Sequence, residues 1–326
     1  MSNNILITSA GRRVSLVKAF QFDLKKLFPN SKVYTAESNP LWSSACRISD
    51  GFFTIPRIES KDYVNAILDI CLENNIKIII PTLDTELLIF SLAKEIFKFN
   101  RIEIIVSDYN LISFCRDKRK TADLFNEIGI RVPSLIDKYN PTFPLFIKPY
   151  DGSLSKDIYY IENKEELNSK LLNDSKLMFM EYISSDNFQE YTIDAYYDKN
   201  NYLKCLVPRY RVEVRGGEIS KGRTERKWFY EILKKKLNHL SGAIGCLTFQ
   251  FFIGKHNNEI VGIEINPRFG GGFPLSYSAG ANYPKYIIQE YLLNDTIPFF
   301  ENWIENRVML RYDSEIILDE HDFNEK

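Results

Sequence analysis

The stretch that decides the fold is Gly262-Ile263-Glu264-Ile265-Asn266-Pro267-Arg268-Phe269-Gly270-Gly271-Gly272. Side chains two residues apart on a strand point to the same face, so Glu264 and Asn266 can hold one Mg²⁺ and Arg268 can lie beside the same phosphates. Mg²⁺ favours oxygen ligands and usually binds through one or two carboxylates and substrate phosphates. Taken alone, the stretch is equally compatible with an ordinary exit from a strand into a loop. Other residues of the chain therefore have to show whether it belongs to a functional site.

Length and composition predict a protein of two or three modules. The chain has 326 residues, of which 44% are hydrophobic and 26% charged, and its formal net charge is −1. A single core stops growing near about 250–300 residues, which predicts more than one module. The small net charge predicts no nucleic-acid partner, and no apolar run reaches the length of about 18 residues that a membrane span needs.

Cysteine and histidine usage predicts a cytoplasmic protein without zinc or triad chemistry. The five cysteines include no CxxC pair, and the three histidines lack the spacing of metal ligands. An unpatterned, odd number of cysteines favours reduced thiols. The first residues pass directly into a strand pattern, without the basic and apolar regions of a signal peptide.

The first third of the sequence alternates strand and helix patterns, which predicts parallel βαβ units in a Rossmann-like α/β domain. Predicted strands are residues 4–8, 32–36, 77–81 and 103–106, and predicted helices are residues 14–28, 63–72 and 85–97. Ligands bind at the carboxyl ends of such strands. The absence of a GxGxxG pattern argues against a nicotinamide or flavin cofactor.

Charged residues on the loops after these strands are candidates for substrate selection. Arg12 and Arg13 follow Gly11 at a predicted helix start, where they suit a substrate carboxylate or phosphate or form only a solvated helix face. Glu37, Asp84 and Glu86 lie on the other two loops, and Asp84 or Glu86 can instead cap the next helix.

From about residue 117 the pattern changes to α+β with antiparallel strands. A helix from 118 to Gly129 is stopped by that glycine and by Pro133. The other predicted helices are residues 164–172 and 226–243, and the predicted strands are residues 144–149, 158–162, 177–182, 190–197, 202–214, 246–253 and 260–265.

Several residues in this part suit a nucleotide. Lys118 begins a helix and Lys148 ends an apolar strand before a Gly/Ser loop at 151–157, where a lysine can meet phosphate oxygens. Ser153 and Ser155 lie in that loop, whose backbone N–H groups can cover phosphates, although a plain surface turn is equally compatible. Further along, an apolar strand leads into a polar link at Glu181, Tyr182 and Ile183. Glu190 and Asp194 then lie on a new strand, and Gln250 lies on the strand next to the one that bears Glu264.

The order and spacing of this set resemble ATP-grasp enzymes of the carbamoyl-phosphate synthase and biotin carboxylase type. The resemblance implies a pre-ATP-grasp domain at 1–113, a central ATP-grasp module at 114–185 and a C-terminal ATP-grasp module with the metal site at 186–326. It implies that Lys118 and Lys148, with Ser153 and Ser155, contact ATP phosphates. Glu181, Tyr182 and Ile183 would then form the adenine hinge, Glu190 would bind the ribose, and Gln250, Glu264 and Asn266 would hold one or two Mg²⁺ (Mn²⁺ being an alternative), with Lys148 and Arg268 as the catalytic cations.

Departures from the two best-known members narrow the activity that the resemblance implies. A single ATP-grasp unit argues against making carbamoyl phosphate outright, since the large synthase subunit has two. Biotin carboxylase has an extra carboxylate a few residues after the arginine, where this chain has Gly270, Gly271 and Gly272. This difference argues against a bicarbonate-activating biotin carboxylase.

A second charged cluster lies at residues 209–224. Arg209 and Arg211 share a predicted strand face, and with Lys221 they suit an acyl phosphate or a substrate carboxylate; a hairpin with solvated charges is the alternative. Residues 217–224 approximate a P-loop, but Arg223 stands where that motif requires lysine.

The sequence therefore predicts an ATP- and Mg²⁺-dependent carboxylate–amine (or ammonia) ligase that works through an acyl phosphate. Such chemistry needs charge neutralisation and positioning more than a protein nucleophile. The alternatives are a bicarbonate-phosphorylating or carbamoyl-transferring enzyme of the same fold, and a non-catalytic nucleotide-binding protein. The predicted partners are a small-molecule carboxylate and amine, with a homodimer as a further expectation from the family.

Overall fold

The computed structural model of this chain describes residues 2–152 and 157–324. Its N-terminal part contains a parallel sheet of five strands: β1 (Asn4–Thr8), β2 (Val33–Glu37), β3 (Phe52–Thr54), β4 (Ile76–Pro81) and β5 (Glu103–Ile104). Their order in the sheet is β3-β2-β1-β4-β5, so β1 is central and all five of its residues are buried. Continuous burial is what a central strand of a parallel sheet requires, and it explains the uninterrupted apolar run at residues 5–7.

Helices connect these strands as the alternating pattern predicts. They are α1 (Val14–Leu27), α2 (Ser44–Ile48), α3 (Tyr63–Glu73) and α4 (Asp84–Phe99). The buried carboxylate of Glu86 fixes the start of α4, because it accepts hydrogen bonds from the backbone N–H groups of Thr82 (2.7 Å) and Leu83 (3.0 Å). Of the two acidic residues on this loop, Glu86 is therefore the one that satisfies free N–H groups at the helix start.

A small antiparallel sheet follows two further helices. These elements are α5 (Tyr109–Arg116), α6 (Lys118–Glu127), β6 (Leu145–Pro149), β7 (Tyr159–Ile161), α7 (Ser169–Asn173) and β8 (Leu177–Glu181), and the sheet order is β7-β6-β8. The side chain of Asp117 caps α6 by accepting from the N–H of Arg119 at 3.0 Å, and Gly129 adopts φ +70° after its end.

The predicted helix at 164–172 is wrong in its extent. Residues 164–166 form one 3₁₀ turn, Leu167 is extended, and α7 begins only after Asn168, whose side chain accepts from the N–H of Leu171 at 3.1 Å. A new helix cap therefore interrupts the apolar periodicity that suggested one helix.

The C-terminal part contains an antiparallel sheet of six strands. Its elements are β9 (Phe188–Tyr197), β10 (Leu203–Arg215), β11 (Glu218–Thr224), α8 (Phe229–Lys236), β12 (Gly245–Gly254), β13 (Ile260–Asn266), α9 (Phe273–Ser278), α10 (Tyr283–Leu292), β14 (Val308–Leu310) and α11 (Glu320–Asn324), and the strand order is β13-β12-β9-β10-β11-β14. Residues 217–224, which approximate a P-loop, belong to the β10–β11 hairpin, where residues 218–224 form the strand β11 rather than a loop between a strand and a helix.

The long helix predicted at 226–243 is also wrong, because α8 ends at Lys236. The next residues turn back to the sheet, where the N–H of Leu203 donates to the carbonyl of Asn238 at 2.9 Å and Gly242 adopts φ +78°. Pairing with the start of β10 therefore overrides the helical periodicity in this segment.

The first and third sheets are joined by helix packing, since α1 contacts both α9 and α10. This contact brings the loops after β1 and β4 close to the end of β13. No helix within the described ranges is long and apolar enough to cross a membrane.

Candidate active site

One cavity of about 670 Å³ lies between the three sheets and contains most of the predicted site residues. This volume is within the range of about 300–1,000 Å³ that is usual for small-molecule sites. Twelve of the predicted residues line it: Lys118, Lys148, Glu181, Tyr182, Ile183, Glu190, Arg209, Arg211, Gln250, Glu264, Asn266 and Arg268.

The predicted metal ligands form one wall of the cavity on the adjacent strands β12 and β13. Gln250 lies directly opposite Glu264 in the antiparallel pairing, and Thr248 lies opposite Asn266. The carboxamide of Asn266 donates to Glu264 Oε1 at 2.9 Å. Opposite residues of such a pair have Cβ atoms about 4.5–5.5 Å apart, so one carboxylate and two carboxamides converge on a small volume.

These oxygens are the candidate for a magnesium site, and their chemistry suits that ion. Among residues 2–152 and 157–324, no three histidine, cysteine, aspartate or glutamate side chains are grouped closely enough to hold a metal. Mg²⁺ binds readily through one or two carboxylates when phosphates supply further oxygens, so Glu264 with two carboxamide neighbours is a compatible set. The amide ends of Gln250 and Asn266 can each turn an oxygen toward the ion.

Two lysines from the central part supply positive charge to the cavity. Lys148 lies on β6 and is 8% exposed, and burial lowers the pKa of its ammonium to about 8, although the carboxylate of Glu264 opposes this effect. Lys118 begins α6 and donates to the carbonyl of Gly152, and burial also lowers its pKa. Within the described residues neither ammonium has a carboxylate within 4.0 Å, so both are available to an anionic ligand.

The predicted adenine hinge lies where β8 ends. The backbone N–H of Glu181 donates to the carbonyl of Ser134 at 2.9 Å, while the carboxylate of Glu181 is held by Arg131 and by the N–H of Ser134. Apolar side chains line the same cavity: Pro133, Phe146, Ile158, Met180, Phe252 and Ile263. Because its carboxylate and its N–H are both engaged, Glu181 has only its backbone carbonyl to offer a ligand.

Glu190 and Arg211 form an ion pair at the cavity wall. Their closest N–O distance is 2.5 Å, and burial raises the pKa of Glu190 although Arg211 opposes this effect. The carboxylate also interacts electrostatically with Glu264 and Lys148. Glu190 therefore faces both the lysine and the acidic groups of the cavity, and its contact with a ribose stays a prediction.

Arg209 is fully buried and is paired with Asp194. Its Nε and Nη2 atoms donate to the carboxylate at 2.8 and 2.9 Å, and Asp194 also accepts from the hydroxyl of Ser276 at 2.6 Å. Sequence spacing predicts that Arg209 and Arg211 share a strand face, but it does not reveal that a carboxylate on the neighbouring strand β9 orients the first of them.

Arg268 is bound to a residue that lies 184 positions earlier. Its Nε and Nη2 atoms donate to the carboxylate of Asp84 at 2.7 and 2.6 Å, so the motif after β13 is tied to the first turn of α4. Helix capping and substrate selection are the two roles that the sequence suggests for Asp84; within the described residues its carboxylate accepts from Arg268 and caps no backbone N–H of α4. No sequence signal connects two residues at this separation.

Three glycines after Arg268 have specific neighbours that explain their small size. A Cβ atom added at Gly270 would lie 3.0 Å from Thr248 Oγ1, and one at Gly271 would lie 2.6 Å from the carboxylate of Glu218. A Cβ atom at Gly272 would lie 2.0 Å from Arg209 Nη1. The loop is therefore packed directly against polar groups of the cavity, which only a backbone without side chains permits.

Two predicted substrate residues lie outside the cavity. Lys221 forms an exposed ion pair with Glu213 at 2.7 Å on the β10–β11 hairpin, because its side chain points to the solvent face of β11. Arg12 is exposed on the loop after β1, whereas the next residue, Arg13, lines the cavity. Neither residue lines this cavity, and their predicted contacts with a substrate stay predictions. Ser153 and Ser155 lie outside the described residues.

Comparison with known proteins gives two family matches. The PylC-like N-terminal domain family matches residues 5–105, and a family described as ATP-grasp in the biosynthetic pathway with Ter operon matches residues 173–306. The chain carries an ATP-grasp domain. These matches confirm the resemblance to ATP-grasp enzymes and the fold class that were predicted from the sequence.

One curated relative of this chain is a D-alanine–D-alanine ligase from Fusobacterium nucleatum, which is 25% identical over 166 residues. The match covers 46% of this chain and 55% of that protein, so the chain spans about half the length of the relative. This partial match agrees with the predicted ligase class.

Solved structures resemble this chain over almost its whole length. A biotin carboxylase complex from Campylobacter jejuni has a TM-score of 0.70 at 16% identity, covering 94% of this chain and 74% of that one. An N5-carboxyaminoimidazole synthetase from Staphylococcus aureus, complexed with ADP, has a TM-score of 0.70 at 18% identity, covering 96% and 83%. An L-amino acid ligase from Bacillus licheniformis has a TM-score of 0.66 at 16% identity, covering 89% and 74%.

Proposed function

We propose that this protein is an ATP- and Mg²⁺-dependent ligase that joins a carboxylate to an amine or to ammonia and releases ADP and phosphate. The observation that carries the proposal is the convergence, in one cavity, of Lys118 and Lys148 with the Gln250, Glu264 and Asn266 oxygens. Cations for phosphates and hard oxygen ligands for Mg²⁺ are the two requirements of phosphoryl transfer, and each is supplied by a different part of the chain. The named relatives include two ligases, which supports the reaction class.

The cofactors are assigned on the fit of the residues to each group. ATP would lie with its base at the Glu181–Ile183 hinge, its ribose near Glu190 and its phosphates near the two lysines, with Ser153 and Ser155 as further proposed contacts. Glu264, Gln250 and Asn266 would hold one or two Mg²⁺, with Mn²⁺ as an alternative. The ion would offset negative charge on the phosphates. The S. aureus synthetase structure contains ADP, and a Hydrogenobacter thermophilus biotin carboxylase domain contains MgADP, which supports this choice.

The proposed reaction has two steps. A carboxylate oxygen of the substrate attacks the γ-phosphorus, the bond to the β–γ bridging oxygen breaks, and ADP leaves the acyl phosphate. The nitrogen of the amine then attacks the acyl carbon, phosphate departs with the bonding pair, and the nitrogen loses a proton to give the amide. No atom changes its oxidation state in either step, so the reaction needs no redox group.

The residues of this chain contribute charge and position to both steps. Lys148 and Arg268 would stabilise negative charge on the transferred phosphoryl group, and they are held by burial on β6 and by the ion pair with Asp84. Arg211, which is 8% exposed, would add a third cation at the wall formed by β10. The apolar residues that line the cavity exclude water, which strengthens these charge interactions.

We also propose a three-part organisation with divisions at 1–113, 114–185 and 186–326. Each of the three sheets falls inside one of these ranges, which supports the divisions. The proposed partners are a small-molecule carboxylate and amine. A homodimer is proposed from the H. thermophilus domain, whose structure is described as a dimer, and light scattering on the purified protein tests it.

Phosphate release from ATP and Mg²⁺ tests the function directly. The assay uses a panel of amino acids, other small carboxylates and bicarbonate, each with and without amines. Stimulation by one carboxylate, with amide product only when an amine is present, is the expected result, and Glu264→Ala should abolish it while the exposed Glu259→Ala should not. Turnover with bicarbonate alone would favour a bicarbonate-phosphorylating enzyme, and full activity of Glu264→Ala would refute the mechanism.

A further inference from the structure

The arginines around the glycine loop Gly270–Gly272 are almost all matched to a carboxylate of their own. Arg209 is paired with Asp194, Arg268 with Asp84, and Arg311 with Glu218. Arg311 also donates to the carbonyl of Gly271, so the loop is enclosed by these pairs. Each pair has no net charge, and the pairs leave this end of the cavity with no excess of either sign.

In the part of the chain that the structure describes, Arg13 differs from Arg209, Arg268 and Arg311 because it has no such partner. Within the described residues its guanidinium has no carboxylate within 4.0 Å, and the one hydrogen bond of that group is a long one of 3.4 Å from Nη2 to the carbonyl of Thr82. Burial, together with the nearby cation Arg268, lowers the pKa of Arg13 to about 10. Arginine keeps its proton at neutral pH even so, and a poorly solvated guanidinium without a partner is unfavourable unless a ligand anion pairs with it.

A second donor without a partner lies at the same end. Arg209 is 1% exposed, and its Nη1 atom has no hydrogen-bond acceptor within the described residues, although Nε and Nη2 are both used by Asp194. Nη1 lies against Gly272, and Arg209 lines the cavity. Buried donors are nearly always satisfied, so this atom marks a position where an acceptor of a ligand belongs.

Arg13, which precedes α1, and Arg209, which lies on β10, come from different parts of the chain. Both line the cavity, and both act electrostatically on the buried thiol of Cys246, as Arg268 also does. The three guanidiniums therefore all act on one residue of β12. Only the charge of Arg13 is uncompensated there, so the end of the cavity matches a ligand group with one negative charge.

Helix packing holds Arg13 in this place. Arg13 immediately precedes α1, and Phe20 on that helix contacts Phe269 edge-on, with ring centroids 5.9 Å apart. Asp23, one turn later, accepts from the hydroxyl of Tyr277 at 3.0 Å and from the amide of Asn282 at 2.9 Å. The helix is therefore anchored to the segment that follows the glycine loop, and the position of Arg13 over this end does not depend on a mobile loop.

We propose that Arg13, together with the free Nη1 edge of Arg209, binds a carboxylate group of the small-molecule substrate. The proposal rests on the proposed ligase function, which requires such a substrate. A planar carboxylate accepts from guanidinium N–H groups in pairs, and this is the geometry that two guanidinium edges facing one position supply. A phosphate is the other anion that these donors could hold, and the experiment separates the two.

The test compares Arg13→Ala with Lys18→Ala, which removes an exposed cation from the same helix. Wild type and both variants are titrated by calorimetry with the twenty amino acids and a set of mono- and dicarboxylic acids, with ATP, and with inorganic phosphate. The KM values for ATP and for any stimulating carboxylate are measured in parallel. Arg13→Ala should weaken carboxylate binding by about 10- to 100-fold, as expected for loss of hydrogen bonds to a charged group. It should leave ATP binding within about two-fold, and Lys18→Ala should match wild type.

Three results would overturn the inference. Arg13→Ala could weaken the binding of ATP or phosphate rather than that of the carboxylate, or it could bind the carboxylate as tightly as Lys18→Ala does. The third result is that wild type binds no carboxylate of the panel. Arg13→Lys keeps the charge and should recover part of the affinity, which excludes a folding defect as the cause of the loss. Carboxylate binding that depends on Arg13 without any amide product would refute the proposed ligase function and leave this inference standing.

Discussion

The buried pair of Arg209 and Asp194 allows a quantitative prediction about stability. Both side chains are at most 1% exposed, and two hydrogen bonds of 2.8 and 2.9 Å join them. Asp194→Asn changes the volume little but removes the negative charge, which leaves Arg209 as a buried cation. Arginine cannot escape this by losing a proton, because its pKa is too high.

The expected cost follows from the chemistry of the partner that remains. Breaking a buried ion pair by removing one partner costs about 3–5 kcal/mol, and we expect Asp194→Asn to lie in this range. Arg209→Met should cost less, about 1–3 kcal/mol, because the remaining carboxylate can take up a proton and keep the hydroxyl of Ser276 as a donor. The double variant should lose less than the two single losses added together, since neither buried charge is then left alone.

Urea unfolding of the four proteins, followed by far-UV circular dichroism and tryptophan fluorescence, measures these differences. The free energies of unfolding form a double-mutant cycle, and its coupling term is expected to exceed about 1 kcal/mol. The reasoning is refuted if Asp194→Asn loses less than about 1 kcal/mol or if the two single losses simply add. Either outcome would mean that solvent or another group compensates the charge of Arg209.

Three further predictions follow from the cavity. The pKa of Lys148 is about 8 in the folded chain and 10.5 in the unfolded chain, so the unfolded chain binds more protons between these two pH values. The free energy of unfolding should therefore rise by about 3 kcal/mol from pH 8 to pH 10.5. Lys148→Met should lack most of this rise, and a wild-type urea midpoint that does not change with pH would contradict the prediction. Glu264→Gln should reduce phosphate release from ATP by at least about 100-fold without changing the circular dichroism spectrum, and near-normal turnover would argue against a metal role for this carboxylate. Gly272→Ala should cost about 1–3 kcal/mol, because the new methyl group would lie 2.0 Å from Arg209 Nη1 and 2.6 Å from Ile219 Cγ2, and an unchanged urea midpoint would show that the loop can move.

Periodic and local signals made much of this protein predictable from its sequence. The two-residue period of a strand placed Glu264 and Asn266 on one face, and the neighbouring strand with Gln250 lies directly opposite in the structure. The alternation of strands and helices before residue 106 and the antiparallel pattern after residue 144 correspond to the observed sheets. Helix ends were predicted well where a cap residue marks them, as at Asp117 and Gly129.

Segments without a local marker were predicted less well. The helix predicted at 226–243 ends at Lys236, because the chain then pairs with the start of β10, and pairing between distant residues leaves no periodic trace. The same reason explains the short strand β14, which joins the sheet edge beside β11 and was not predicted.

Sequence by itself determined which residue types stand at which spacing, and therefore the fold class and the residues that surround a nucleotide. The tertiary structure alone decided which charges remain free. It pairs Arg268 with Asp84 across 184 positions, buries Arg209 against Asp194, and turns Arg13 into the cavity while Arg12 faces solvent. Local sequence sets the direction of a side chain relative to its own backbone, whereas ion pairs and burial depend on how separate sheets and helices pack together.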